Sequence, residues 1–260
     1  MKIVAGNVFG FWMLIVLSAM TISVIRLSHQ DKIKVSVRAI VGLNAIDEAI
    51  GRATEMGAPV HFTPGLGDIT AVDSAQTLAG LEILSYVARA AARYDANLIV
   101  TIRMPNVFPI AQELTRQGFI AEGKGDALRD DTVRYISSDQ DAYAGGVVGI
   151  LHRERPAANI MAGIFMGESL LITEAGNMVG AMQVAITASI TQLAFFVASC
   201  DYVVMGEELF AAGAFLSQNK VKLGAIAAQD YFKLAVIFVI VLGVISKAAG
   251  SDIVKNTLTK

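Results

Sequence analysis

Residues 164–170 (IFMGESL) and residues 203–209 (VVMGEEL) repeat one pattern, and this repeat decides the fold. Each copy runs from apolar residues through Met-Gly to one or two glutamates, as a buried strand does when it turns tightly into a helix. The surrounding stretch, residues 159–217, is otherwise almost continuously apolar and carries acidic charges but no Lys or Arg. This pattern predicts that the second half of the chain consists of buried parallel strands and their connecting helices.

The earlier half of the chain has the same alternation of short apolar strands and longer helices. The predicted strands are residues 59–63, 97–102, 133–137, 160–165, 183–187 and 202–205, and the predicted helices are residues 73–94, 107–117, 140–153, 169–178, 190–199 and 207–217. Gly118 is the expected C-cap of one helix, and Ser138 or Asp139 is the expected N-cap of the next. The alternation predicts an α/β fold: a Rossmann-like, doubly wound, mainly parallel sheet of about six strands.

Both ends of the chain carry candidate membrane helices. Residues 3–25 contain no charge and exceed the ~20 residues that a helix needs to cross the hydrocarbon layer. A cleaved signal peptide is the alternative, but its apolar region would usually be shorter. Residues 231–249 form a second apolar stretch of sufficient length, with a buried or membrane-surface helix as its alternative.

The distribution of basic residues predicts the orientation in the membrane. Arg26, Lys32, Lys34 and Arg38 follow the first apolar segment, whereas only Lys2 precedes it. The positive-inside rule then places the N-terminus outside and the α/β domain in the cytoplasm, at the cell membrane. The predicted domains are an N-terminal anchor and linker (residues 1–31), the cytoplasmic α/β domain (residues 32–222), and a C-terminal transmembrane helix and tail (residues 223–260).

A third membrane span within the domain is an alternative for residues 175–200, which contain no charge. Several amide and hydroxyl side chains and two glycines, Gly176 and Gly180, make a continuous membrane helix less favourable there. We therefore interpret this stretch as the end of one helix, a strand and the next helix.

The composition limits the functional classes. The chain is 54% hydrophobic and 17% charged, below the ~25% charge of an average soluble domain. Net charge is −2 and no block of basic residues occurs, so the sequence does not indicate nucleic-acid binding. The single cysteine, Cys200, is interpreted as a small core residue rather than a catalytic thiol.

Ligands of doubly wound folds bind beyond the carboxyl ends of the strands, and this rule predicts a site before any motif does. The candidate ligand-binding residues at those ends are Thr63, Gly65, Gly67, Asp68, Arg103, Ser138, Glu168 and Glu207. Glu168 and Glu207 each follow the repeated Met-Gly, where a carboxylate is favoured by the start of a helix. The functional alternative is that these carboxylates meet at the sheet edge and hold a cation or a polar ligand.

No catalytic or metal-binding residue is predicted, and the cofactor stays open. The turn at Gly65 and Gly67 lacks the third glycine of a dinucleotide fingerprint, because Thr70 occupies that position. The chain has neither a P-loop nor the Gly-x-Ser-x-Gly elbow of hydrolases. His61 falls within a strand, where a hydrogen-bonded core histidine is favoured over a general base.

A resemblance covers most of the chain and rests on residues 61–65 (HFTPG), 164–168 (IFMGE) and 204–208 (VMGEE). The chain resembles an uncharacterised family of bacterial and archaeal membrane proteins, a domain of unknown function with an α/β domain between two hydrophobic helices. The resemblance implies a membrane location and no particular activity, so it assigns no functional residue.

The predicted function is a non-enzymatic, membrane-anchored scaffold or a subunit of a larger membrane complex. The small-residue, apolar helices of residues 159–217 motivate it, because their outer faces would otherwise be exposed. The expected partners are the lipid bilayer and further copies of the chain or other membrane-protein subunits. The alternative is a membrane-tethered domain that senses a small molecule or nucleotide at the carboxyl edge of the sheet.

Overall fold

A computed structural model of the protein describes residues 8–30, 41–217 and 220–248. The chain divides into two compact units. Residues 39–217 form an α/β unit, and the two terminal helices belong to the other unit. Residues 31–40, including Lys32, Lys34 and Arg38, lie outside the described residues, as do the outer ends of both predicted membrane segments.

The order of elements follows the predicted alternation. The strands are β1 (Val60–Gly65), β2 (Leu98–Ile102), β3 (Val133–Tyr135), β4 (Ala158–Ile164), β5 (Met182–Thr187) and β6 (Tyr202–Met205). The helices are α1 (Val8–His29), α2 (Val41–Met56), α3 (Ser74–Arg93), α4 (Phe108–Ala121), α5 (Gln140–Glu154), α6 (Glu168–Val179), α7 (Leu193–Ser199), α8 (Glu208–Ser217) and α9 (Lys220–Ala248). Short 3₁₀ turns at Gly125–Ala127 and Ile190–Gln192 precede β3 and α7.

All six strands pair in parallel in the order β3-β2-β1-β4-β5-β6. This is the strand order of a Rossmann sheet, and it confirms the predicted doubly wound α/β fold. β1, β2, β4 and β5 are buried along their whole length, as strands of a parallel sheet covered on both faces are.

The two faces of the sheet have different cores. One face packs against α2, α3, α4 and α8 in a large, almost wholly aliphatic core. The other face packs against α5, α6 and α7 in a smaller core that contains the edge-to-face pair Phe165 and Phe196. Buried polar side chains of the strands, among them His61 and Asn159, alternate in sequence with residues of the large core. They therefore lie on the side of α5 to α7.

Of two predicted helix caps, one at the end of α4 and one at the start of α5, the structure confirms only the second. α4 passes through Gly118 and ends at Ala121, so the prediction that Gly118 is a C-cap was wrong. The glycine is needed for packing instead, because a Cβ there would stand 2.8 Å from Cβ of Ala88 on α3. At the start of α5 the prediction was correct: Asp139 is the N-cap and accepts a hydrogen bond from the Ala142 amide at 2.9 Å.

The stretch that could have been a third membrane span is part of the sheet. Residues 175–200 contain the end of α6, the strand β5 and the helix α7. Gly180 ends α6 in a left-handed conformation, with φ of +77°. The glycine thus breaks the helix at the position where a membrane span would have to continue.

The terminal helices pack against each other. Gly224 of α9 lies so close to α1 that a Cβ there would be 2.9 Å from Cβ of Ser28. The Ser28 hydroxyl donates a hydrogen bond to the Lys220 carbonyl at 2.8 Å. Small residues permit this approach, as they do between membrane helices. By length and composition, Gly10–His29 and Lys220–Ala248 could each cross a membrane.

This helix pairing predicts a specific disulfide. In a variant with Ser28→Cys and Gly224→Cys, oxidation should join α1 to α9, because the two Cβ positions are close enough for a bridge after a small adjustment. Thiols left after oxidation can be counted under denaturing conditions with a maleimide-polyethylene glycol tag. One tag, on the native Cys200, is expected instead of three.

The matched control is Ser23→Cys with Gly224→Cys. Ser23 is exposed and lies five residues before Ser28, about 7.5 Å away along the axis of α1, which is beyond the reach of a disulfide to residue 224. Three tags are expected for this control. Equal cross-linking of both pairs would contradict the described packing of α1 on α9.

Candidate functional site

The topology places one crevice at the carboxyl edge of the sheet. β1 and β4 are neighbours, but the chain leaves β1 toward β2 and leaves β4 toward β5. The connections therefore diverge between these two strands, and ligands of open α/β sheets bind at such a switch point. The segments that border the crevice are residues 65–68 after β1 and residues 165–168 after β4. Several of the predicted site residues lie in these two segments.

Gly65 and Gly67 have packing roles. A Cβ on Gly65 would stand 2.0 Å from the Ile164 carbonyl oxygen, so the glycine lets β1 approach β4. A Cβ on Gly67 would stand 2.0 Å from the hydroxyl of Thr77 in α3. α3 begins only at Ser74, so the turn does not lead directly into a helix that could hold a pyrophosphate. The turn differs from a dinucleotide-binding loop, as its missing third glycine indicated.

Thr63 lies below the crevice, in the core. Its hydroxyl forms a short hydrogen bond with the Tyr143 hydroxyl and accepts another from the Gly65 amide at 3.0 Å. Both side chains are fully buried. Burial raises the pKa of Tyr143 to about 12, so the phenol stays protonated and can serve this buried contact. Thr63 and Tyr143 thus connect the start of the turn, at Gly65, to α5 by hydrogen bonds within the core.

Asp68 organises the loop that follows β1. Its Oδ1 accepts hydrogen bonds from the Thr70 amide at 2.8 Å and the Thr70 hydroxyl at 2.9 Å. A third bond comes from Nδ2 of Asn106 at 2.6 Å, across from the loop that follows β2. These hydrogen bonds, led by that of the Thr70 amide, lower the pKa of Asp68, so the carboxylate is charged at neutral pH. The β1 and β2 loops are thereby joined.

Arg103 follows β2 and reaches the same turn. Its Nη1 donates a hydrogen bond to the Leu66 carbonyl at 3.1 Å. Within the described parts of the chain, three buried side-chain atoms have no hydrogen-bond partner: Arg103 Nε, Asn106 Oδ1 and Gln76 Oε1. Two of these side chains, Arg103 and Asn106, bond directly to the 66–68 turn. Buried polar groups are normally paired, so the unpartnered atoms of Arg103 and Asn106 make the crevice beside this turn the candidate ligand site.

Glu168 lies on the β4 side of the crevice and is only 3% exposed. Its Oε1 accepts a hydrogen bond from the Met166 amide, and its Oε2 accepts one from Nε2 of Gln140 on α5, each at 2.8 Å. Burial raises the pKa of Glu168, while these hydrogen bonds and the charge of Arg103 act in the opposite direction. The side chain therefore ties β4 to α5 and contributes a carboxyl group close to Arg103.

Ser138 and Glu207 lie further from the switch point. Ser138 is exposed and precedes α5, beyond β3 at one end of the sheet. Glu207 is exposed and follows β6 at the other end, with β5 between β4 and β6. The strand order thus does not make Glu207 a neighbour of Glu168. Among residues 8–30, 41–217 and 220–248, no group of three or more His, Cys, Asp or Glu side chains could hold a metal ion.

Comparison with protein families identifies the chain at the level of a family. A family model described as "Domain of unknown function (DUF6754)" matches residues 3–258. The chain belongs to this family. The match confirms the resemblance to a domain of unknown function, and it covers the α/β unit of this DUF6754 chain together with both terminal helices. No curated protein and no solved structure matches the chain.

This DUF6754 chain also contains a buried polar row, which confirms the prediction that His61 is a hydrogen-bonded core histidine, although its partners were not predicted. His61 bonds to Thr101 Oγ1 through Nε2 at 2.9 Å and to Asn159 Oδ1 through Nδ1 at 2.7 Å. Asn159 Nδ2 donates to Gln183 Oε1 at 2.9 Å. The row thus crosses β2, β1, β4 and β5, and all four side chains are fully buried. The signal was available, since each of these strands contains one or two polar residues among apolar ones.

The row predicts that the protein loses stability in mild acid. Burial lowers the pKa of His61 from 6.5 to about 4, so the folded state keeps the ring neutral. Between these pH values the unfolded chain binds a proton at His61 that the folded chain does not. The stability from this group is therefore complete above about pH 6.5 and is lost, by about 3 kcal/mol in all, as the pH falls toward 4.

The contribution of His61 can be isolated with His61→Gln. Thermal unfolding of the wild type and the variant should be compared at about pH 7 and about pH 5, where His61 accounts for a loss of roughly 2 kcal/mol. We expect the wild type to lose more stability than the variant over this interval. An identical loss in both proteins would mean that His61 is not the group responsible.

Proposed function

We propose that the protein is a membrane-tethered α/β domain that binds a small molecule at the switch point between β1 and β4. The observation that carries this proposal is the pair of unpartnered buried polar atoms, Arg103 Nε and Asn106 Oδ1, beside one turn at the carboxyl edge. A buried polar group without a hydrogen-bond partner costs about 1–3 kcal/mol, and a ligand that bonds to it recovers this free energy. The proposal assigns binding to the crevice, and no reaction.

The tether is supported by the terminal helices. α1 has 22 residues and α9 has 29, equivalent to about 33 Å and 44 Å of helix, whereas the hydrocarbon layer measures ~30 Å. Large apolar side chains on both helices, such as Trp12 and Phe238, are more than 60% exposed. Lipid is the environment in which such a surface is favourable. Extraction with alkaline carbonate tests the tether: the full-length protein should stay in the membrane pellet.

The proposed orientation places the α/β unit in the cytoplasm of the cell. It rests on Arg26, Lys220 and Lys222, which lie at the ends of α1 and α9 that connect to this unit. Asp130→Cys provides a test, because Asp130 lies in an exposed loop, and burial raises the pKa of the native Cys200 to about 12 and makes it unreactive. A membrane-impermeant maleimide should label this variant only after the cells are permeabilised. Labelling in intact cells would show that the α/β unit lies outside the cell.

Ligand binding can be tested with the full-length protein in mild detergent. A panel of nucleotides, sugars, amino acids and organic acids should contain at least one compound that raises the midpoint of thermal unfolding. The same compound should not stabilise the variant Arg103→Met, whereas it should stabilise Arg52→Gln, which removes an exposed arginine on α2. If no compound in the panel changes the midpoint of the folded wild type, the proposed binding function is wrong.

A second candidate function is a self-assembling or complex-forming subunit. It is favoured by apolar side chains exposed on α6, on α7 and in the 3₁₀ turn before α7, including Met178 at 70%, Ile190 at 83% and Val197 at 58%. Contiguous exposed apolar side chains are typical of interaction surfaces. Native mass spectrometry in detergent tests this candidate: Val197→Gln should shift oligomers toward monomers, whereas Met56→Gln, which changes an equally exposed residue on α2, should not. A monomeric wild type would rule out self-assembly.

A further inference from the structure

The guanidinium of Arg103 has an unused binding edge. Three other arginines of the chain, Arg93, Arg116 and Arg129, each use Nε and Nη2 together to hold a carboxylate. Arg103 bonds only through Nη1, to a backbone carbonyl, and its Nε is buried without a partner. The edge that accepts a carboxylate or phosphate in bidentate fashion is therefore vacant.

The nearby acids do not hydrogen-bond to Arg103. The Glu168 carboxylate acts on Arg103 only through its charge, and its two oxygens accept hydrogen bonds from Met166 and Gln140. The hydrogen-bonded oxygen of Asp68 is shared by Thr70 and Asn106. Glu168 therefore offsets part of the Arg103 charge, but the buried Nε of Arg103 keeps an unmet hydrogen-bonding capacity, which is unfavourable in the unliganded protein.

Asn106 adds a specific acceptor beside this charge. Its Nδ2 donates to the Asp68 carboxylate at 2.6 Å, and this contact fixes the amide orientation, since the reverse orientation would set two oxygens against each other. Oδ1 of Asn106 therefore faces away from Asp68, and it is buried without a partner. Only a hydrogen-bond donor satisfies this oxygen.

We infer that the crevice takes a small anion that carries its own hydrogen-bond donor, such as a hydroxy acid or a phosphate ester of a polyol. This inference rests on the proposed binding function and names its ligand class. The anionic group occupies the Nε and Nη2 edge of Arg103, and a ligand hydroxyl donates to Asn106 Oδ1. Because both protein atoms are buried in the unliganded structure, entry requires a local displacement.

Four probes test separately whether the ligand needs an anionic group and whether it needs a hydroxyl donor. Glycerol 3-phosphate and glycerate combine an anion with hydroxyl donors, glycerol has only the donors, and sulfate has only the charge. With the full-length protein in detergent, at least one of the first two should raise the unfolding midpoint by about 3–6 °C at roughly ten times its Kd. Glycerol and sulfate should shift it by no more than about 1 °C at the same concentrations.

Three variants assign the effect to the crevice. Arg103→Met should abolish the shift, and Arg103→Lys should weaken binding about tenfold or more, because lysine keeps the charge but loses the planar edge. Asn106→Leu should remove the difference between glycerol 3-phosphate and sulfate. Arg52→Gln serves as the control for the loss of one positive charge and should bind as the wild type does. Without ligand, Arg103→Met loses the hydrogen bond to the Leu66 carbonyl, so ligand-induced shifts are compared with the midpoint of each unliganded variant.

The same phosphate chemistry occurs in the headgroup of phosphatidylglycerol, so the source of the ligand has its own test. The protein in nanodiscs of phosphatidylcholine, with and without added phosphatidylglycerol, should respond equally to free glycerol 3-phosphate if the natural ligand is soluble. The other outcome is that phosphatidylglycerol alone stabilises the wild type but not Arg103→Met. That result would support an anionic ligand with a hydroxyl donor and would identify the lipid headgroup as that ligand.

The outcomes distinguish this inference from the function on which it rests. If neutral metabolites stabilise the wild type and both anionic probes fail, the crevice binds ligands but the anionic class is wrong. If the anions stabilise Arg103→Met as much as the wild type, they bind elsewhere and the inference is also wrong. If no probe and no metabolite stabilises the folded wild type, the proposed binding function itself fails.

Discussion

Replacing Gly65 with alanine is expected to lower the free energy of unfolding of the α/β unit by about 3–5 kcal/mol. The added Cβ would stand 2.0 Å from the Ile164 carbonyl oxygen on β4, and neither backbone can withdraw without disturbing the pairing of β1 with β4. Gly65 also has a φ of +73°, which disfavours any residue with a Cβ. The midpoint of thermal unfolding in detergent should fall by about 10 °C or more.

The second turn of the crevice provides the matched control. Gly167 follows β4 as Gly65 ends β1, but its φ is −60° and a Cβ there would meet no atom within 4 Å. Gly167→Ala should change the free energy of unfolding by no more than about 0.5 kcal/mol. Equal midpoints for the two alanine variants would show that the close approach of β1 and β4 does not depend on glycine.

Asn159→Ala is expected to destabilise the α/β unit by about 3–5 kcal/mol. The substitution removes the partner of His61 Nδ1 and the donor to Gln183 Oε1, and it leaves both groups buried without water. Each unsatisfied group costs about 1–3 kcal/mol, and the lost side-chain volume adds to this sum. Thermal unfolding of the full-length protein is again the measurement.

Two further variants show whether the row acts as a unit. Asn97→Ala removes an exposed asparagine just before β2 and should have almost no effect. Gln183→Met breaks the row at its other end, where Nε2 donates to the Thr173 carbonyl at 2.8 Å. The double variant with Asn159→Ala should be less destabilised than the sum of the single variants, because both remove the same bond. Strict additivity would contradict a connected row.

The sheet could be predicted because its signal is local. Strands such as β4 are apolar on both faces, and helices such as α5 begin at a residue that can cap them. The local pattern led to a wrong prediction where one residue type can have either of two roles. Gly118 resembles a helix end in sequence, but the structure uses its missing side chain to bring α4 against α3. A contact between elements distant in sequence leaves no mark in the local pattern.

The site was predicted in part for a similar reason. The rule that ligands bind at the carboxyl ends of strands selected Arg103, Asp68 and Glu168, and the structure places these three residues near the β1–β4 switch point. It did not select Asn106 or Gln140, which enter from loops or helices and meet those residues only through folding. Whether any of these residues contacts a ligand stays a prediction, to be decided by the binding experiments above.

Residue type and spacing were enough to predict the alternation of strands and helices, the two long apolar segments, and the acidic stretch of residues 159–217 that has no Lys or Arg. Only the tertiary structure decided that the repeated Met-Gly-Glu turns lie on strands separated by β5, so that Glu168 and Glu207 are not on neighbouring strands. It also decided that Arg103 meets the turn after β1 without an anion to pair with. Strand order is set by which apolar faces pack together across the whole chain, and no local stretch of sequence contains that information.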